Sequence, residues 1–305
     1  MSTSVLRTAD AWWVATPAGA AKIATDARTT GELLADRAAI AAAGASTDTV
    51  PVESLALVSP VTTPCRVVAQ ATNYASHVRD VGMNPDHVLL TFFRKTSGSI
   101  CGPYDDVIRP AHVKLLDYEL EIGLVIGREM PVGTEVTANN WRDYVAALVV
   151  TNDVSARDIQ LRKMQFFESK SYPTFTPVGP ALVLVEGDEL KRFDDLRLQL
   201  WVNGELRQNA VVGGDMMYPP VEALQTLSGF QRLEPGDLVL TGTPVGTALT
   251  TGGKSGGQMD LKAFLAAQGT NPKFLRDGDV IEAAIGTDDG TLDLGRQRTT
   301  VRDAR

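Results

Sequence analysis

After about residue 60 the sequence consists mainly of short β-type runs separated by turn residues, and this pattern restricts the fold most. Leu196–Val202, Asn203-Gly204 and Glu205–Arg207 predict a β-hairpin, because Asn-Gly supplies the positive φ angles of a type I′ turn. Five further strands are predicted at Tyr118–Ile126, Ala146–Thr151, Ala181–Val185, Leu238–Thr241 and Val280–Glu282. Strands and helices do not alternate regularly, so we expect a β-rich mixed α+β fold.

The first 60 residues have a different character. They contain two short predicted strands and an alanine-rich predicted helix, at Trp12–Val14, Ala21–Ile23 and Thr30–Ala43. The segment Gly44–Pro60 is polar and contains prolines, which is typical of a linker. We therefore expect a small N-terminal α+β domain at residues 1–60, followed by a larger domain at residues 61–305.

Two helices and one loop are predicted in the larger domain. The helices are Ser155–Met164 and Pro220–Leu227, and the glycine-rich segment Gly252–Gly257 is predicted to be a mobile loop. Gly253-Lys254-Ser255 resembles the end of a phosphate-binding loop, but Ala248 stands where that motif requires its first glycine. We expect no nucleotide site there.

The overall charge and the apolar pattern exclude several classes of partner. A formal net charge of −8 is opposite in sign to the basic surface of nucleic-acid-binding proteins. No apolar run approaches the roughly 20 residues that span a bilayer, and Asp10, Pro17 and Lys22 interrupt any secretory signal. We expect a cytoplasmic protein without a membrane or nucleic-acid partner, in which Cys65 and Cys101 are free thiols.

Three carboxylates suggest a metal site. If Tyr118–Ile126 is a strand, Glu119 and Glu121 point to the same face. Asp153 follows the apolar run that ends at Thr151 and could complete a three-carboxylate site, whose hard oxygen ligands suit Mg²⁺ or Mn²⁺. Two other interpretations stay open: the glutamates could lie on a solvated strand edge, and Asp153 could cap the following helix.

Six motifs, in order, resemble those of the fumarylacetoacetate hydrolase superfamily. They are Asn73–His77, Asp117–Gly127, Asn152–Gln160, Lys170–Tyr172, Pro177–Pro180 and Gly242–Gly246. The resemblance extends from about residue 60 to the C-terminus. Within the superfamily, the sequence resembles acylpyruvate hydrolases and oxaloacetate decarboxylases. It implies that family's C-terminal catalytic fold, a mixed β-sandwich roll, preceded by the small variable domain that many members carry.

The resemblance also assigns roles to individual residues. It implies that one Mg²⁺ or Mn²⁺ is held by Glu119, Glu121 and Asp153. It places Lys170 beside metal and substrate, and it implies substrate contacts for Arg157, Gln160, Thr243 and Lys95. Arg157 could instead be a structural ion-pair partner, and Thr243 could serve only the turn that contains it.

His77 bears on the type of reaction. By resemblance it lies in a lid segment where hydrolytic and decarboxylating members carry a histidine paired with an acid. Asp80, one helical turn further on, is the expected partner and stands where those relatives carry glutamate. His77 is thus the expected general base and Lys170 the group that meets the oxyanion.

The function that this resemblance implies is hydrolysis of a carbon–carbon bond in a small diketo acid of the acylpyruvate, fumarylpyruvate or fumarylacetoacetate type. The reaction would proceed through a metal-stabilised enolate. Because the same enolate serves other reactions, the alternatives are an oxaloacetate decarboxylase or a 2-oxo-acid isomerase or decarboxylase of aromatic catabolism. A non-catalytic oxo-acid-binding protein is a further alternative. A homodimer is expected from the resemblance.

Overall fold

The computed structural model, which describes residues 2–250 and 261–305, contains two large β-sheets, a set of helices and two short two-stranded sheets, which pair Ser155–Ala156 with Leu116–Asp117 and Thr176–Pro177 with Ile100–Cys101. The predicted loop Gly252–Gly257 lies outside the described residues. Within them the strands are β1 Thr3–Arg7, β2 Trp12–Thr16, β3 Gly19–Lys22, β4 Val67–Ala71, β5 Thr91–Lys95, β6 Ile100–Cys101, β7 Val107–Arg109, β8 Leu116–Asp117, β9 Leu120–Ile126, β10 Val145–Asn152, β11 Ser155–Ala156, β12 Thr176–Pro177, β13 Leu182–Leu184, β14 Leu196–Val202, β15 Glu205–Val211, β16 Leu238–Leu240, β17 Val280–Thr287 and β18 Asp293–Asp303.

Helices are shorter and fewer than strands in the described part of the chain. The α-helices are α1 Thr30–Ala35, α2 Arg37–Gly44, α3 Ala75–Asp80, α4 Arg157–Lys163, α5 Phe167–Lys170, α6 Gly187–Leu190, α7 Pro220–Ser228 and α8 Leu261–Gln268. Short 3-10 turns lie at Val52–Ser54, Pro85–His87, Ser97–Ser99, Trp141–Asp143 and Phe193–Asp195. The predicted β-rich mixed α+β class is confirmed.

The larger sheet has nine strands in the order β3-β2-β1-β13-β10-β9-β16-β4-β5. Its pairs are antiparallel except for β16 and β4, which run parallel. The N-terminal strands extend this same sheet, because β1 pairs with β13 and sets Ser4 opposite Val183. The domain boundary near residue 60 stays a prediction, and the sheet itself is continuous across it.

The smaller sheet has five strands in the order β15-β14-β17-β18-β7. Alternate residues of β14 and β17 are buried, and they share one apolar core with Ile122, Leu124 and Leu148 of the larger sheet. The opposite face of the larger sheet packs against α1 and α2 in a second core that contains Val125 and Leu33. The nine-stranded sheet is therefore covered on both faces, as its almost wholly apolar central strands require.

Several predicted elements can be compared with the structure directly. The hairpin is confirmed, with β14 and β15 joined through Asn203 and Gly204 at φ angles of 52° and 79°. The alanine-rich stretch predicted to be helical at Thr30–Ala43 is helical, but it is divided into α1 and α2. The chain breaks at Asp36, whose carboxylate accepts hydrogen bonds from the backbone N–H of Ala39 at 3.3 Å and from Thr25 Oγ1 at 2.7 Å. A side chain that caps a new helix thus divides the alanine-rich stretch in two.

The helix predicted from Ser155 begins instead at Arg157, because Ser155 and Ala156 pair with β8. Cys65 and Cys101 are free thiols, as predicted. Among the described residues, no helix has the length and hydropathy that crossing a bilayer requires.

Candidate active site

Three acidic residues converge where β9 and β10 lie side by side. Glu121 in β9 is opposite Thr151 in β10, and the backbone N–H of Asp153 donates to the carbonyl of Glu119 at 2.8 Å. One carboxylate oxygen from each of Glu119, Glu121 and Asp153 lies within 4.8 Å of the others. The structure thus brings the three predicted metal ligands together.

Burial decides between the interpretations that the sequence left open. Glu119 is 6% exposed, Glu121 1% and Asp153 0%, so these acids do not form a solvated strand edge. Asp153 does not cap α4 either, because that helix begins after Ala156 and has no side-chain cap. Burying three carboxylates this close together requires compensating positive charge.

Two buried lysines supply part of that charge. Lys170 Nζ, at the end of α5, donates to Glu119 Oε2 and to Asp153 Oδ2, both at 2.7 Å. Lys95 Nζ, at the end of β5, contacts Asp153 Oδ1 and donates to the carbonyl of Phe175 at 2.9 Å. Asp153 is therefore held between two lysines. Burial lowers the pKa of Lys95, whereas Asp153 and Glu119 outweigh burial and raise the pKa of Lys170.

Arg157 is the third basic group of the cluster. Its Nε donates to Asp117 Oδ2 at 2.8 Å, its Nη1 donates to Gln160 Oε1 at 2.9 Å, and its Nη2 contacts Glu119 Oε1. Burial disfavours the charged guanidinium, but Glu119 and Asp117 outweigh it and hold the pKa of Arg157 above its ordinary value. Arg157 is thus an ion-pair partner, one of the two roles that the sequence allowed.

Glu121 is the exception in this network. Within the described residues no lysine or arginine contacts its carboxylate, which accepts a 2.7 Å hydrogen bond from the backbone N–H of Gly242. Burial, together with the charges of Asp153 and Glu119, raises the pKa of Glu121 well above its ordinary value. By contrast, Arg157 and Lys170 overcome the effect of burial and lower the pKa of Glu119.

This charge distribution fits a divalent cation. Among the described residues, four buried carboxylates (Asp117, Glu119, Glu121 and Asp153) meet three basic side chains, and the unbalanced acid is Glu121. Converging carboxylate oxygens are the ligand type that Mg²⁺ and Mn²⁺ prefer. The buried acidic triad could therefore hold a divalent cation beside Glu121, where positive charge is lacking.

His77 lies on helix α3, which a distant segment fixes in place. Asp215 accepts three hydrogen bonds from the first turn of α3. Ala75 N donates to the Asp215 carbonyl at 2.8 Å, Ser76 N donates to Oδ1 at 2.7 Å, and Ser76 Oγ donates to Oδ2 at 2.5 Å. His77 is 6% exposed, and burial lowers its pKa to about 4 despite the nearby Glu119. The imidazole is therefore neutral near pH 7 and able to accept a proton.

The hydrogen bonding of the His77 ring differs from the predicted pairing with Asp80. The Nδ1 atom of His77 has no hydrogen-bond partner among the described residues, so Asp80 does not orient the ring through that atom. Asp80 is the last residue of α3 and is half-buried. The catalytic pairing of His77 with Asp80 stays a prediction.

A cavity of about 60 Å³ adjoins the cluster. Its lining comprises Gln70, Ala71, Thr72, His77, Phe93, Glu119, Glu121, Arg157, Gln160, Phe166, Lys170 and Thr243. Of the predicted substrate contacts, Arg157, Gln160 and Thr243 line this cavity, whereas Lys95 does not and lies behind Asp153.

Several polar residues of the site carried no role in the sequence-based prediction. Asp117 accepts hydrogen bonds from Arg157 and from the backbone N–H groups of Tyr118, Ala248 and Leu249. Gln208 donates to Thr243 Oγ1 at 2.8 Å, and Thr243 Oγ1 in turn donates to the carbonyl of Leu120 at 2.9 Å. Asp117 stands inside the acidic motif and could have been noticed there. Gln208 lies in the β15 strand of a hairpin, where no local pattern distinguishes it.

Comparisons with known proteins all identify relatives of one enzyme family. Residues 66–302 match the family model for the fumarylacetoacetate (FAA) hydrolase C-terminal region. The oxaloacetate tautomerase Fahd2a of Rattus norvegicus is 36% identical over 202 residues, which cover 66% of this chain and 62% of the rat protein. This chain therefore matches less than two thirds of that relative's length. The oxaloacetate tautomerase YisK of Bacillus subtilis is 34% identical over 234 residues, covering 74% of this chain and 68% of that protein.

A solved structure resembles the whole chain. It is described as a probable 2-hydroxyhepta-2,4-diene-1,7-dioate isomerase from Mycobacterium abscessus, and it covers 100% of both chains with a TM-score of 0.77 and 31% sequence identity. The likeness includes the first 60 residues as well as the region that carries the acidic cluster. The catalytic fold expected from the sequence motifs is therefore confirmed.

Proposed function

Because this chain belongs to the fumarylacetoacetate hydrolase family, we propose that it is an enzyme that interconverts the keto and enol forms of a small 2-oxo acid. The observation that carries the proposal is a buried, neutral His77 that lines the same cavity as the acidic cluster. A base next to a charged cluster that stabilises an oxyanion is what enolisation requires.

Glu119, Glu121 and Asp153 are the residues that would hold the divalent cation, with Mg²⁺ or Mn²⁺ proposed from their oxygen ligands. Such a cation, when bound, supplies a Lewis acid for negative charge on substrate oxygens. Lys170 and Arg157, both lining the cavity, supply further positive charge. The acid groups that hold these two side chains also fix them in place before substrate arrives.

Proton transfer is assigned to His77. The neutral imidazole takes a proton from the carbon next to the 2-oxo group, and the electron pair of that C–H bond moves into the carbonyl to give an enolate. Return of the proton to the oxygen gives the enol, and the reverse sequence regenerates the keto form. Phe93 and Phe166 add apolar surface to the same cavity, and the imidazole itself is only 6% exposed to bulk water.

One structural observation favours this reaction over hydrolysis. Among the described residues, the imidazole Nδ1 of His77 has no acidic partner that would orient the ring toward an attacking water, and enolisation consumes no water. The two curated relatives are named oxaloacetate tautomerases, which supports the same choice.

Cleavage of a carbon–carbon bond in a diketo acid is the second candidate. The matching family model is named for a hydrolase, and a neutral His77 could equally take a proton from water. Decarboxylation of oxaloacetate would use the same stabilised enolate. A homodimer and a cytoplasmic location stay predictions.

A comparison of substrates tests the proposal. The protein with Mg²⁺ is mixed with enol oxaloacetate and, separately, with acetylpyruvate. We expect rapid loss of the enol ultraviolet absorbance without pyruvate release, and slow or no cleavage of acetylpyruvate. His77→Gln should lower the tautomerisation rate by about 100-fold or more, whereas replacement of the exposed His87 by Gln should not. Efficient acetylpyruvate cleavage with no acceleration of enol loss would refute tautomerisation and support the hydrolase.

A further inference from the structure

Helix α3, which carries His77, depends on the rest of the chain for its position. It spans six residues, Ala75–Asp80, and its N-cap residue Tyr74 makes no side-chain hydrogen bond to it. Helices shorter than roughly 12 residues are marginal in water without tertiary contacts, and the first N–H groups of any helix have no partner inside it. The place of His77 is therefore set by contacts from other segments.

Asp215 makes the contacts that fix the start of this helix. It is half-buried, follows β15 and lies 139 positions from Ser76. Its carboxylate accepts from Ser76 N at 2.7 Å and from Ser76 Oγ at 2.5 Å, and its carbonyl accepts from Ala75 N at 2.8 Å. A carboxylate also carries the charge that a helix N-terminus favours. Hydrogen bonds from two adjacent residues fix both the end of α3 and its rotation about the helix axis, and so the direction in which His77 points.

Ser76 extends this contact to the turn that holds Glu121. The hydroxyl that donates to Asp215 also accepts from Val245 N at 3.2 Å. Val245 lies in the same turn as Gly242, whose N–H donates to Glu121 Oε2 at 2.7 Å. The hydrogen bonds of Asp215 and Ser76 thus set the place of the proposed base relative to a candidate metal ligand.

We propose that Asp215 is a positioning residue for the proposed reaction, acting through Ser76 to hold the His77 imidazole in the wall of the cavity. This inference rests on the proposed function, in which His77 takes the proton. Neither Asp215 nor Ser76 lines the cavity, so their effect on the reaction passes through the residues that they hold. A general base must lie within about 3 Å of the atom that gives up its proton, and a misplacement of about 1 Å costs on the order of 100-fold in rate.

Kinetics of three variants test the inference. Asp215→Ala removes the carboxylate, Asp215→Asn keeps its shape and an oxygen for Ser76, and Ser76→Ala removes the hydroxyl alone. With Mg²⁺ and enol oxaloacetate we expect kcat to fall about 30-fold or more in Asp215→Ala and about tenfold in Ser76→Ala. KM should change by less than about threefold, because Arg157 and Lys170 are untouched. Asp215→Asn should keep kcat within about fivefold of the wild type. The double variant should lose about as much as Asp215→Ala, since both substitutions break one set of contacts.

Chemical modification of His77 gives a readout that does not depend on turnover. Diethyl pyrocarbonate reacts with accessible neutral imidazoles, and peptide mass spectrometry resolves the three histidines. His77 is 6% exposed, whereas His87 and His112 are exposed and serve as internal references. We expect modification of His77 to be about tenfold faster in Asp215→Ala, because the first turn of α3 opens locally. Modification of the two references should not change.

The control is Asp279→Ala. Asp279 is also half-buried and also joins distant segments, since it accepts from Arg276 N at 2.7 Å and from Asn203 Nδ2 at 2.8 Å, but it lies outside the cavity lining. This variant should leave kcat and His77 modification unchanged. Unchanged kcat or unchanged His77 modification in Asp215→Ala, or equal changes in Asp279→Ala, would overturn the inference.

The two readouts separate this inference from the proposed function. If the wild type turns over no 2-oxo acid, the proposed function fails and modification alone decides. Faster reaction of His77 in Asp215→Ala then supports the positioning role, and an unchanged rate refutes it. Should Asp215→Ala fail to fold, Ser76→Ala, which leaves the backbone hydrogen bonds to Asp215 in place, decides by the same readouts.

Discussion

The backbone N–H of Gly242 donates a 2.7 Å hydrogen bond to Oε2 of Glu121. This is how the one carboxylate of the cluster without a lysine or arginine partner, among the described residues, is held in place. The turn after β16 therefore positions a candidate metal ligand through the backbone rather than through a charged side chain. The positive charge that Glu121 lacks is left for a cation to supply.

Gly242→Ala should disturb this arrangement. Gly242 has a φ of +85°, and a Cβ there would lie 2.7 Å from the Cβ of Asn73, so the turn must shift. We expect a loss of about 1–3 kcal/mol in the free energy of unfolding and weaker Mn²⁺ binding by calorimetry. Gly290→Ala is the matched control, because its φ is +71° and no atom lies within 4 Å of a new Cβ. It should cost about 1 kcal/mol or less and leave Mn²⁺ affinity unchanged; an equal effect of both variants on Mn²⁺ would contradict the account.

Glu121→Gln and Glu119→Gln should differ in their effect on the free energy of unfolding of the metal-free protein. Burial and two acidic neighbours raise the pKa of Glu121, so replacing it removes an unbalanced charge and should not lower the free energy of unfolding. Glu119→Gln strips Arg157 and Lys170 of their partner and should cost about 3–5 kcal/mol. Urea unfolding in chelator measures both. A larger loss in Glu121→Gln than in Glu119→Gln would show that the charge assignment is wrong.

The pH dependence of stability should report His77. Its pKa in the folded protein is about 4, below the ordinary 6.5, so between these values the unfolded chain binds a proton that the native state does not. The stability is fully present above the ordinary value and is lost as pH falls. We expect this residue alone to remove on the order of 2 kcal/mol between about pH 7 and about pH 5. His77→Gln should flatten that part of the urea-unfolding profile, and His87→Gln should not; identical profiles for all three proteins would exclude a buried neutral His77.

Lys95 and Lys170 both contact Asp153, but only Lys170 lines the cavity. Lys170→Met should lower kcat by about 100-fold or more, because it removes positive charge next to the substrate. Lys95→Met should act mainly on folding, with about 3–5 kcal/mol lost because Asp153 and the Phe175 carbonyl lose their partner. Steady-state kinetics and urea unfolding on both variants separate these effects. A selective rise in KM for Lys95→Met would instead restore the substrate contact that the sequence motifs imply.

The sequence-based prediction was strongest where the signal is local. Asn203-Gly204 fixes its hairpin by backbone preference alone. Glu121 lies within the apolar strand β9, and Glu119 and Asp153 flank β9 and the apolar strand β10. Their close approach required only that β9 and β10 pair.

What could not be predicted depends on contacts between distant segments. The pairing of β1 with β13 joins the first residues to a strand near residue 183, and no local pattern specifies that partner. The hydrogen bond from Gln70 Nε2 to the Tyr218 carbonyl likewise joins residues 148 positions apart. The break at Asp36 was missed because alanine-rich stretches favour helix, and a capping aspartate overrode that preference.

The most direct test of the account is the dependence of tautomerisation on a divalent cation at the acidic cluster. The rate of enol oxaloacetate loss is measured for the protein as purified, after exhaustive chelation and after Mg²⁺ or Mn²⁺ is restored, with Glu121→Gln in parallel. We predict loss of the rate on chelation, recovery with either cation, and no recovery in Glu121→Gln. A full rate in excess chelator would contradict the account.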